Sequence, residues 1–367
     1  MADTGDVKVC ADGVMLSAGY GKIAAYHGGR YPGGTILAYK ALRLAQELLF
    51  PNGGFFVRGK CSVETPFTGL GFKDGMEAVL RAPSLGLYKV DTDMPVPRGT
   101  VPAPIRGAFF YRFVQDGGTV DLTLKPGLIP EEFYRATEGL HSGKITSEDE
   151  VLKIRRGIES ALMGLSPGDI FDAVSCRPCG VTPDEYEEPP PLDDDFRVRL
   201  NDFAEYDVGV DDARFFHGDE SLCGLCLVWS LVRQWIRGDA RLQNSCLPRR
   251  SVSVAIGALG RGVNDAFEFL FRTSDGRSSV NIKWSAGFGA PEVMPGAGFF
   301  AFGLGLEGER RSVFALKERI VPRDYLKICG EMAGKAADFR ERAARKKLQR
   351  DFVRQVLSEP EPFRVVA

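Results

Sequence analysis

The feature that most constrains the fold of this chain is an internal repeat. Tyr26-His27-Gly28 recurs as Phe216-His217-Gly218, 190 residues later. Towards the end of each copy the spacing becomes 192, as between Leu165-Ser166 and Leu357-Ser358. Small loop insertions produce such a drift, and matched motifs at a nearly fixed period indicate repeated units. We therefore predict two divergent copies of one domain, produced by internal duplication.

Length and composition agree with two globular domains. The chain has 367 residues, of which 44% are hydrophobic and 26% are charged, and its net charge of −2 gives no reason to expect nucleic acid as a partner. The first residues lack the apolar run of an export signal, and no apolar stretch is long enough for a transmembrane helix. We expect a cytoplasmic protein, without membrane contact, whose eight cysteines are reduced thiols.

The predicted fold class is α+β in both copies. We predict a first domain over residues 1–180, an acidic linker over 181–200, and a second domain over 201–367 that ends in a basic helix. The linker is assigned because Asp184 to Asp195 contains seven acidic residues and three consecutive prolines, which cannot bury enough apolar surface to fold alone. The two copies are expected to form an intramolecular pseudo-dimer, and a homo-oligomer remains an open alternative.

Each copy is predicted as a small mixed sheet packed against a long buried helix, with helices at its C-terminal end. The buried helix spans Gly33 to Leu49, before the turn residues Pro51-Asn52-Gly53-Gly54, and its counterpart spans Leu225 to Ile236. The remaining assignments are strands at Phe55–Val57, Met76–Arg81, Leu87–Val90 and Ala108–Val114, with counterparts at Val252–Val254, Phe267–Phe271 and Val280–Trp284, and helices over Glu148–Met163 and Pro322–Leu357.

The segment His27-Gly28-Gly29-Arg30-Tyr31 immediately precedes the buried helix. Glycines let the backbone approach a ligand, and a helix start offers free N–H groups and the positive end of a dipole. The chain has only three histidines, and His27 and His217 occupy equivalent positions. One interpretation is a structural histidine that holds this loop in both copies. The other is a ligand site in each copy that binds an anion or a metal-bound oxygen, with His27, Gly28 and Arg30 in the first copy and His217 in the second.

A glycine-rich segment, Gly69 to Gly75, suggests a second part of the same cleft. Its spacing does not fit a P-loop. Gly69, Gly71 and Lys73 are candidate contacts for an anionic ligand, and Arg261 follows a glycine at the corresponding place in the second copy. Exposed turns explain the same pattern equally well.

These segments resemble the formylmethanofuran dehydrogenase E-subunit-like family. That family carries an aromatic residue followed by His-Gly-His-x-Cys-Pro-Gly and a hydrophobic helix, and further on a cysteine at a strand end and a Thr-Gly turn. Tyr26 to Gly33 and Lys60 to Gly69 are similar to this pattern. The resemblance implies an α+β domain, a divalent metal such as zinc held by His and Cys, and a role in redox or one-carbon metabolism beside a redox enzyme. By position, His27 and Cys61 match the metal ligands.

The metal ligand set departs from the family's pattern in both copies. Gly29 and Tyr31 stand where the signature has its second histidine and its cysteine. Zinc takes four N, S or O ligands, so the first copy offers an incomplete set. In the second copy His217 and Cys223 are the candidates, although helix packing also explains a cysteine followed by Cys226.

Three functions follow from these observations. The first is a metal- or small-ligand-binding accessory protein. The second is an enzyme on a small anionic substrate, with His27 as general acid/base and Tyr31, Cys61 and Lys73 assisting. The third is an interaction scaffold with vestigial sites, whose basic helix, Asp338 to Arg354, binds a partner. The role of the pair Cys176 and Cys179 stays undecided.

Overall fold

A computed structural model describes residues 5–144, 147–179, 186–258, 260–273, 279–281, 287–293, 298–322, 324–327 and 339–366. The chain divides into two compact units, which we call unit 1 (Met1–Pro189) and unit 2 (Pro190–Ala367). Each unit combines helices with mixed sheets, so the predicted α+β class is confirmed.

Unit 1 contains two sheets. The first has the order β2-β1-β3 and consists of β1 (Val7–Ala11), β2 (Val14–Ala18) and β3 (Phe56–Val57). Asp12 and Gly13 join β1 to β2 with φ values of 56° and 80°, as a tight Asp-Gly hairpin requires. The second sheet has the order β5-β4-β6-β7-β8 and consists of β4 (Ser62–Thr65), β5 (Tyr88–Val90), β6 (Phe110–Gln115), β7 (Gly118–Leu124) and β8 (Phe171–Arg177).

The helices of unit 1 are α1 (Tyr20–His27), α2 (Pro32–Leu49), α3 (Leu70–Leu80), α4 (Glu131–His141), α5 (Glu148–Met163) and α6 (Pro167–Ile170). The long buried helix α2 begins at a proline, which suits a first helical turn, and packs against α3, α5 and strands of both sheets. This helix agrees with the predicted one to within one residue. The helix predicted over Glu148–Met163 is confirmed as α5.

Unit 2 repeats the order of the strands and of the first three helices of unit 1. Its strands are β9 (Val198–Asn201), β10 (Glu205–Val208), β11 (Leu247–Pro248), β12 (Val252–Ala258), β13 (Ser279–Asn281), β14 (Gly298–Leu306), β15 (Ser312–Leu316) and β16 (Phe363–Val365). Its labelled helices are α7 (Val210–His217), α8 (Leu222–Gly238), α9 (Arg261–Phe271) and α10 (Phe339–Ser358). The sheet orders are β10-β9-β11 and β13-β12-β14-β15-β16, which are those of unit 1 strand for strand.

Side-chain contacts also recur between the units. Arg58 donates to the last carbonyls of α3, and Arg249 donates to the last carbonyls of α9. Lys40 on α2 donates to the carbonyl of Leu165, and Ser230 on α8 donates to that of Val356. An internal duplication would produce this agreement. The duplication as an evolutionary event stays a prediction.

Several predicted elements need correction. Met76–Arg81 and Phe267–Phe271, predicted as strands, belong to the C-terminal ends of helices α3 and α9, where Arg81 is the residue that caps α3. Both segments are rich in buried apolar residues, which a short window does not distinguish from a buried strand. By sheet position the counterpart of β3 is β11, not the start of β12. The helix predicted over Pro322–Leu357 coincides with α10 from Phe339 onward, and residues 328–338 lie outside the described residues.

The predicted linker also differs from the structure at its C-terminal end. Val198–Asn201 is the strand β9, because its alternation buries Val198 and Leu200. The boundary between the two compact units falls between residues 189 and 190 of the chain. Residues 180–185, with the first part of the predicted linker, and Trp284 of a predicted strand lie outside the described residues.

Candidate functional site

His27 is the last residue of α1, where Gly28 ends the helix with a φ of 83°. The imidazole is 2% exposed. Its Nδ1 lies 2.8 Å from Oδ2 of Asp74 on α3, and its Nε2 accepts a hydrogen bond of 2.7 Å from the backbone N–H of Tyr31. Because an N–H group is always the donor, Nε2 is the acceptor and Nδ1 carries the ring proton.

The hydrogen bonds of His27 bear on the two interpretations of this loop. Both ring nitrogens are engaged by the protein, one by a carboxylate and the other by the N-terminal amide of α2. A metal ligand or a proton shuttle needs one nitrogen directed at its partner. The geometry of unit 1 therefore matches the structural histidine and does not support the predicted roles of His27 as general acid/base or metal ligand.

Cys61 contacts other residues than those that surround His27. It precedes β4, and its buried thiol lies beside the backbone of Val114 and near Asp116, at the turn from β6 to β7. Burial raises the pKa of the Cys61 thiol well above its ordinary value. A buried thiol that stays protonated is a small core side chain and a poor nucleophile. These contacts place the thiol at the turn from β6 to β7.

The other predicted residues of unit 1 have structural surroundings of their own. The Tyr31 ring lies under the guanidinium of Arg155, 4.5 Å from it, and Arg30 is paired with Glu148 at 2.6 Å. Lys73 is exposed on α3. Helix α5 thus supplies both the cation above Tyr31 and the partner of Arg30, so these residues attach α5 to the loop.

The predicted glycines of unit 1 allow close packing. Gly69 precedes α3, and a Cβ added there would lie 2.4 Å from the Phe67 ring. A Cβ added at Gly71 would lie 2.3 Å from the carbonyl oxygen of Tyr31. Gly71 is therefore needed where α3 crosses the start of α2, which is an adequate reason for the glycine without a ligand.

Unit 2 keeps one half of the histidine arrangement and changes the other. Nδ1 of His217, at the end of α7, lies 2.8 Å from Oδ2 of Asp265 on α9. The ring is fully buried, and its Nε2 has no hydrogen-bond partner among the described residues. Ser221 occupies the place of Tyr31, but with a φ of 64° instead of −127°. The two units thus differ at this one ring nitrogen.

Gln349 of α10 explains why the amide of Ser221 is not at the ring. With its amide group oriented to satisfy both partners, Oε1 of Gln349 accepts hydrogen bonds from the N–H groups of Leu222 at 2.6 Å and Ser221 at 3.0 Å. These are the first amides of α8. A side chain from another helix therefore caps α8, whereas the corresponding amide in unit 1 is taken by His27.

Arg261, a predicted ligand contact, contacts both His217 and Asp265. Its Nη2 donates to the backbone oxygen of His217 at 2.9 Å, and its Nε lies 3.7 Å from Asp265. The Arg261 side chain is 43% exposed, and its Nη1 also lies 3.6 Å from Glu220. Arg261 thus holds the His217–Asp265 pair in place and keeps part of its surface towards solvent.

The cysteines of unit 2 do not form a metal centre with His217. Cys223 Sγ lies 2.7 Å from the hydroxyl of Tyr325, and Cys226 is fully buried in α8. Burial raises the pKa of the Cys226 thiol well above its ordinary value. Among the residues that the structure describes, no three His, Cys, Asp or Glu side chains lie close enough to hold a metal ion. Within that part of the chain, the predicted zinc ligands of both copies are therefore not gathered.

The cysteine pair at the end of β8 lies beside backbone oxygens. Cys176 is exposed and lies 3.6 Å from the carbonyl of Leu48, and Cys179 lies 3.9 Å from that of Asp116.

We expect alkylation of the native protein by iodoacetamide to modify Cys176 and to spare Cys61 and Cys226, because only exposed thiols form accessible thiolates. Mass mapping before and after unfolding measures this order. Rapid labelling of Cys61 in the folded chain would contradict its placement in the core.

A cavity of about 540 Å³ lies beside the capped end of α8. We call it the α10 pocket. It is lined by Pro190, Pro191, Leu192, Asp193, Arg214, Asp219, Leu222, Lys346, Gln349, Arg350, Val353, Arg354, Leu357 and Ser358. Arg214 and Asp219 are buried and paired with each other at 2.5 Å.

The sequence analysis missed the partners of the two histidines, Asp74 and Asp265. They recur 191 residues apart, and that recurrence is the sequence signal that identifies them.

Comparison with models of known protein families finds no match to this chain, and comparison with curated proteins finds none either. The resemblance to the E-subunit-like family therefore stays a prediction. No described helix is long and apolar enough to cross a membrane.

Proposed function

We propose that this chain is a small-ligand-binding accessory protein and that unit 2 binds a small anion in the α10 pocket. The observation that carries the proposal is the row of cations that α10 presents to this cavity. Lys346, Arg350 and Arg354 follow one another at helical spacing and all line it. A cavity of about 540 Å³ is of the size that proteins use for small ligands.

The charge balance of the lining favours an anion. Arg214 and Asp219 neutralise each other, which leaves Asp193 against the three cations of α10. Arg354 also lies 3.2 Å from Asp351 on the same helix. The wall beside the cations is apolar, from Leu222, Val353 and Leu357, which lowers the local dielectric and strengthens each charge interaction.

The accessory role rests on the predicted family and on the state of unit 1. The resemblance of the His27 and Cys61 segments to E-subunit-like proteins is the reason to propose a redox or one-carbon enzyme as the partner. Both ring nitrogens of His27 are engaged by the protein, and the thiol of Cys61 is buried. These two observations support a binding rather than a catalytic role for unit 1. A divalent metal is not needed for anion binding by the α10 pocket.

Neutralising two pocket cations tests the proposal. We expect the double substitution Lys346→Gln and Arg350→Gln to weaken binding of an anion probe by about tenfold, because each exposed cation contributes on the order of 0.5–1 kcal/mol. Calorimetry with inorganic phosphate, pyrophosphate and citrate measures it, beside mass spectrometry of small molecules that copurify. Lys347→Gln is the matched control, since Lys347 is exposed on the same helix and does not line the pocket. Equal weakening by the control, or no anion bound by the unsubstituted chain, would refute the proposal.

A further inference from the structure

Aliphatic side chains line much of the α10 pocket. Leu222, Val353 and Leu357 belong to the core and are only 6%, 6% and 7% exposed, yet all three line this cavity. Residues 190–192, with the sequence Pro-Pro-Leu, line it as well. The described lining residues include no aromatic ring. The cavity therefore offers aliphatic surface in addition to its charges.

Two rows of side chains run side by side on the face of α10 that lines the pocket. Lys346, Arg350 and Arg354 are spaced four residues apart and are exposed to solvent. Val353 and Leu357, also four residues apart, are buried. Each of these apolar residues comes three positions after an arginine, and residues three apart on a helix are neighbours on its surface. A ligand that lies along α10 thus meets a charged row and an apolar row at the same time.

The cavity is larger than an inorganic anion. Its volume of about 540 Å³ corresponds to roughly eighteen water-sized groups, since one water takes about 30 Å³ in the liquid. The lining residues of α10 begin at Lys346 and end at Ser358, a length of about 18 Å at a rise of about 1.5 Å per residue. A phosphate or sulfate ion would fill only a small part of this space. The dimensions fit an elongated ligand.

The segment that contributes the two prolines is held in place at both ends. The buried guanidinium of Arg214 donates to the carbonyl of Pro190. Asp194 pairs with Arg233 of α8 at 2.8 Å, and at most 6% of either side chain is exposed. A wall that is formed before the ligand arrives reduces the cost of ordering on binding. This part of the pocket is therefore ready to receive a ligand without folding around it.

The charges at the pocket favour a ligand with one negative charge. Lys346, Arg350 and Arg354 contribute three positive charges. Asp193 also lines the cavity and Asp351 lies 3.2 Å from Arg354, so two negative charges oppose them. A monoanion balances the one positive charge in excess. Two of the three cations are arginines, whose planar guanidinium matches the two oxygens of a carboxylate.

We propose that the ligand of the α10 pocket is an aliphatic carboxylate. The inference rests on the proposed anion-binding function and specifies the ligand. The carboxylate lies at the exposed row of Lys346, Arg350 and Arg354, and the hydrocarbon chain lies along Val353 and Leu357. The aliphatic lining favours a chain over a flat aromatic body, which gains most by packing against another ring. Each part of the ligand thus meets surface of its own kind.

Calorimetry on the full chain with acetate, butyrate, hexanoate and octanoate is the first test. We expect the affinity to rise by about threefold for each added methylene group, because complete burial of a methylene is worth about fourfold. An affinity that is independent of chain length, but is lost in the double substitution Lys346→Gln and Arg350→Gln, would overturn the aliphatic ligand and leave anion binding intact. Binding of none of the carboxylates and none of the inorganic anions would remove both.

Octanol separates the contribution of the charge from that of the chain. It has the hydrocarbon chain of octanoate without the negative charge, so we expect it to bind about tenfold more weakly than octanoate. This difference should disappear in the double substitution Lys346→Gln and Arg350→Gln. Equal affinities for octanol and octanoate in the unsubstituted chain would show that the cations take no part, and would overturn the carboxylate together with the anion-binding function.

Leu192→Ser tests the apolar wall without opening the core, because Leu192 is only half-buried. We expect the affinity for octanoate to fall by about fivefold and that for acetate to stay nearly unchanged, since acetate has no chain to contact this wall. Leu326→Ser is the matched control, a half-buried leucine of unit 2 that does not line the pocket. Equal losses for acetate and octanoate, or the same loss in the control, would contradict the placement of the chain.

Methyl NMR locates the hydrocarbon chain independently. With leucine and valine methyl groups labelled with carbon-13, we expect nuclear Overhauser effects between octanoate and the methyl groups of Val353 and Leu357, which line the pocket. Leu326 should show none. Effects confined to methyl groups outside the pocket would identify non-specific binding to the protein surface and would overturn the proposal.

Discussion

Replacing Gly71 with alanine is expected to destabilise unit 1 by about 3 kcal/mol or more, because the new methyl group meets backbone on both sides. An ideal Cβ at this position would lie 2.3 Å from the carbonyl oxygen of Tyr31 and 2.9 Å from the amide nitrogen of Thr35. Neither atom can move without shifting α2. The substitution therefore separates α3 from α2 and weakens the bond of His27 to the Tyr31 amide.

Hydrogen exchange of α2 and α3 peptides measures this effect in unit 1 itself. We expect faster exchange of these peptides in Gly71→Ala by about a hundredfold, the equivalent of roughly 3 kcal/mol. Gly157→Ala is the matched control, because Gly157 is inside α5 and a Cβ there meets nothing within 4 Å. That control should stabilise its helix by about 0.5–1 kcal/mol. Unchanged protection in Gly71→Ala would contradict the tight crossing of the two helices.

The corresponding glycine of unit 2 gives the same geometry independently. A Cβ at Gly262 would lie 2.3 Å from the carbonyl oxygen of Ser221 and 2.9 Å from the amide of Leu225. The same helix crossing is thus built twice with the same residue type. This crossing also fixes the place of Ser221, the residue that precedes α8.

Local signals in the sequence predict the long buried helix of each unit well. Pro32 at the start and Pro51-Asn52-Gly53-Gly54 after the end determine the limits of α2 within the chain, so no tertiary information is needed. Helix α3 is harder to assign because it is short, buried on most sides and begins in a glycine-rich segment that also fits a turn. A buried helix without a polar face carries no period that distinguishes it from a strand.

The site depends on contacts that sequence spacing does not encode. His27 and Asp74 are 47 residues apart, and Gln349 reaches Ser221 across 128 positions, so only the packing of helices brings them together. The repeated histidine predicts a site in both copies, yet the structure separates the two. The amide of Tyr31 donates to the ring nitrogen in unit 1, whereas the left-handed backbone of Ser221 directs its amide elsewhere in unit 2. The φ angle of this one residue accounts for the difference, and the residue types of the motif do not predict it.

Arg249 is expected to be among the most sensitive side chains of unit 2. It is fully buried, and its guanidinium donates to the carbonyls of Leu270 and Phe269 at the end of α9. Arg249→Met retains most of the apolar stem but leaves these buried acceptors without their donor. Each unpaired acceptor costs about 1–3 kcal/mol, and relief of a buried charge offsets part of the loss, so we expect a net destabilisation of about 3 kcal/mol.

Tryptophan fluorescence during denaturation reports this loss directly, because all three tryptophans of the sequence belong to unit 2. The midpoint of the fluorescence transition should fall in Arg249→Met, whereas Arg310→Met, an exposed arginine of the same unit, should change the stability by less than about 0.5 kcal/mol. Arg58 makes the equivalent contacts in unit 1 but is only partly buried, so water can replace it and Arg58→Met should cost less. If Arg249→Met and Arg310→Met have the same transition midpoint, the buried guanidinium does not hold the end of α9 against β12. The segment that positions Asp265 and His217 must then be stabilised by packing alone.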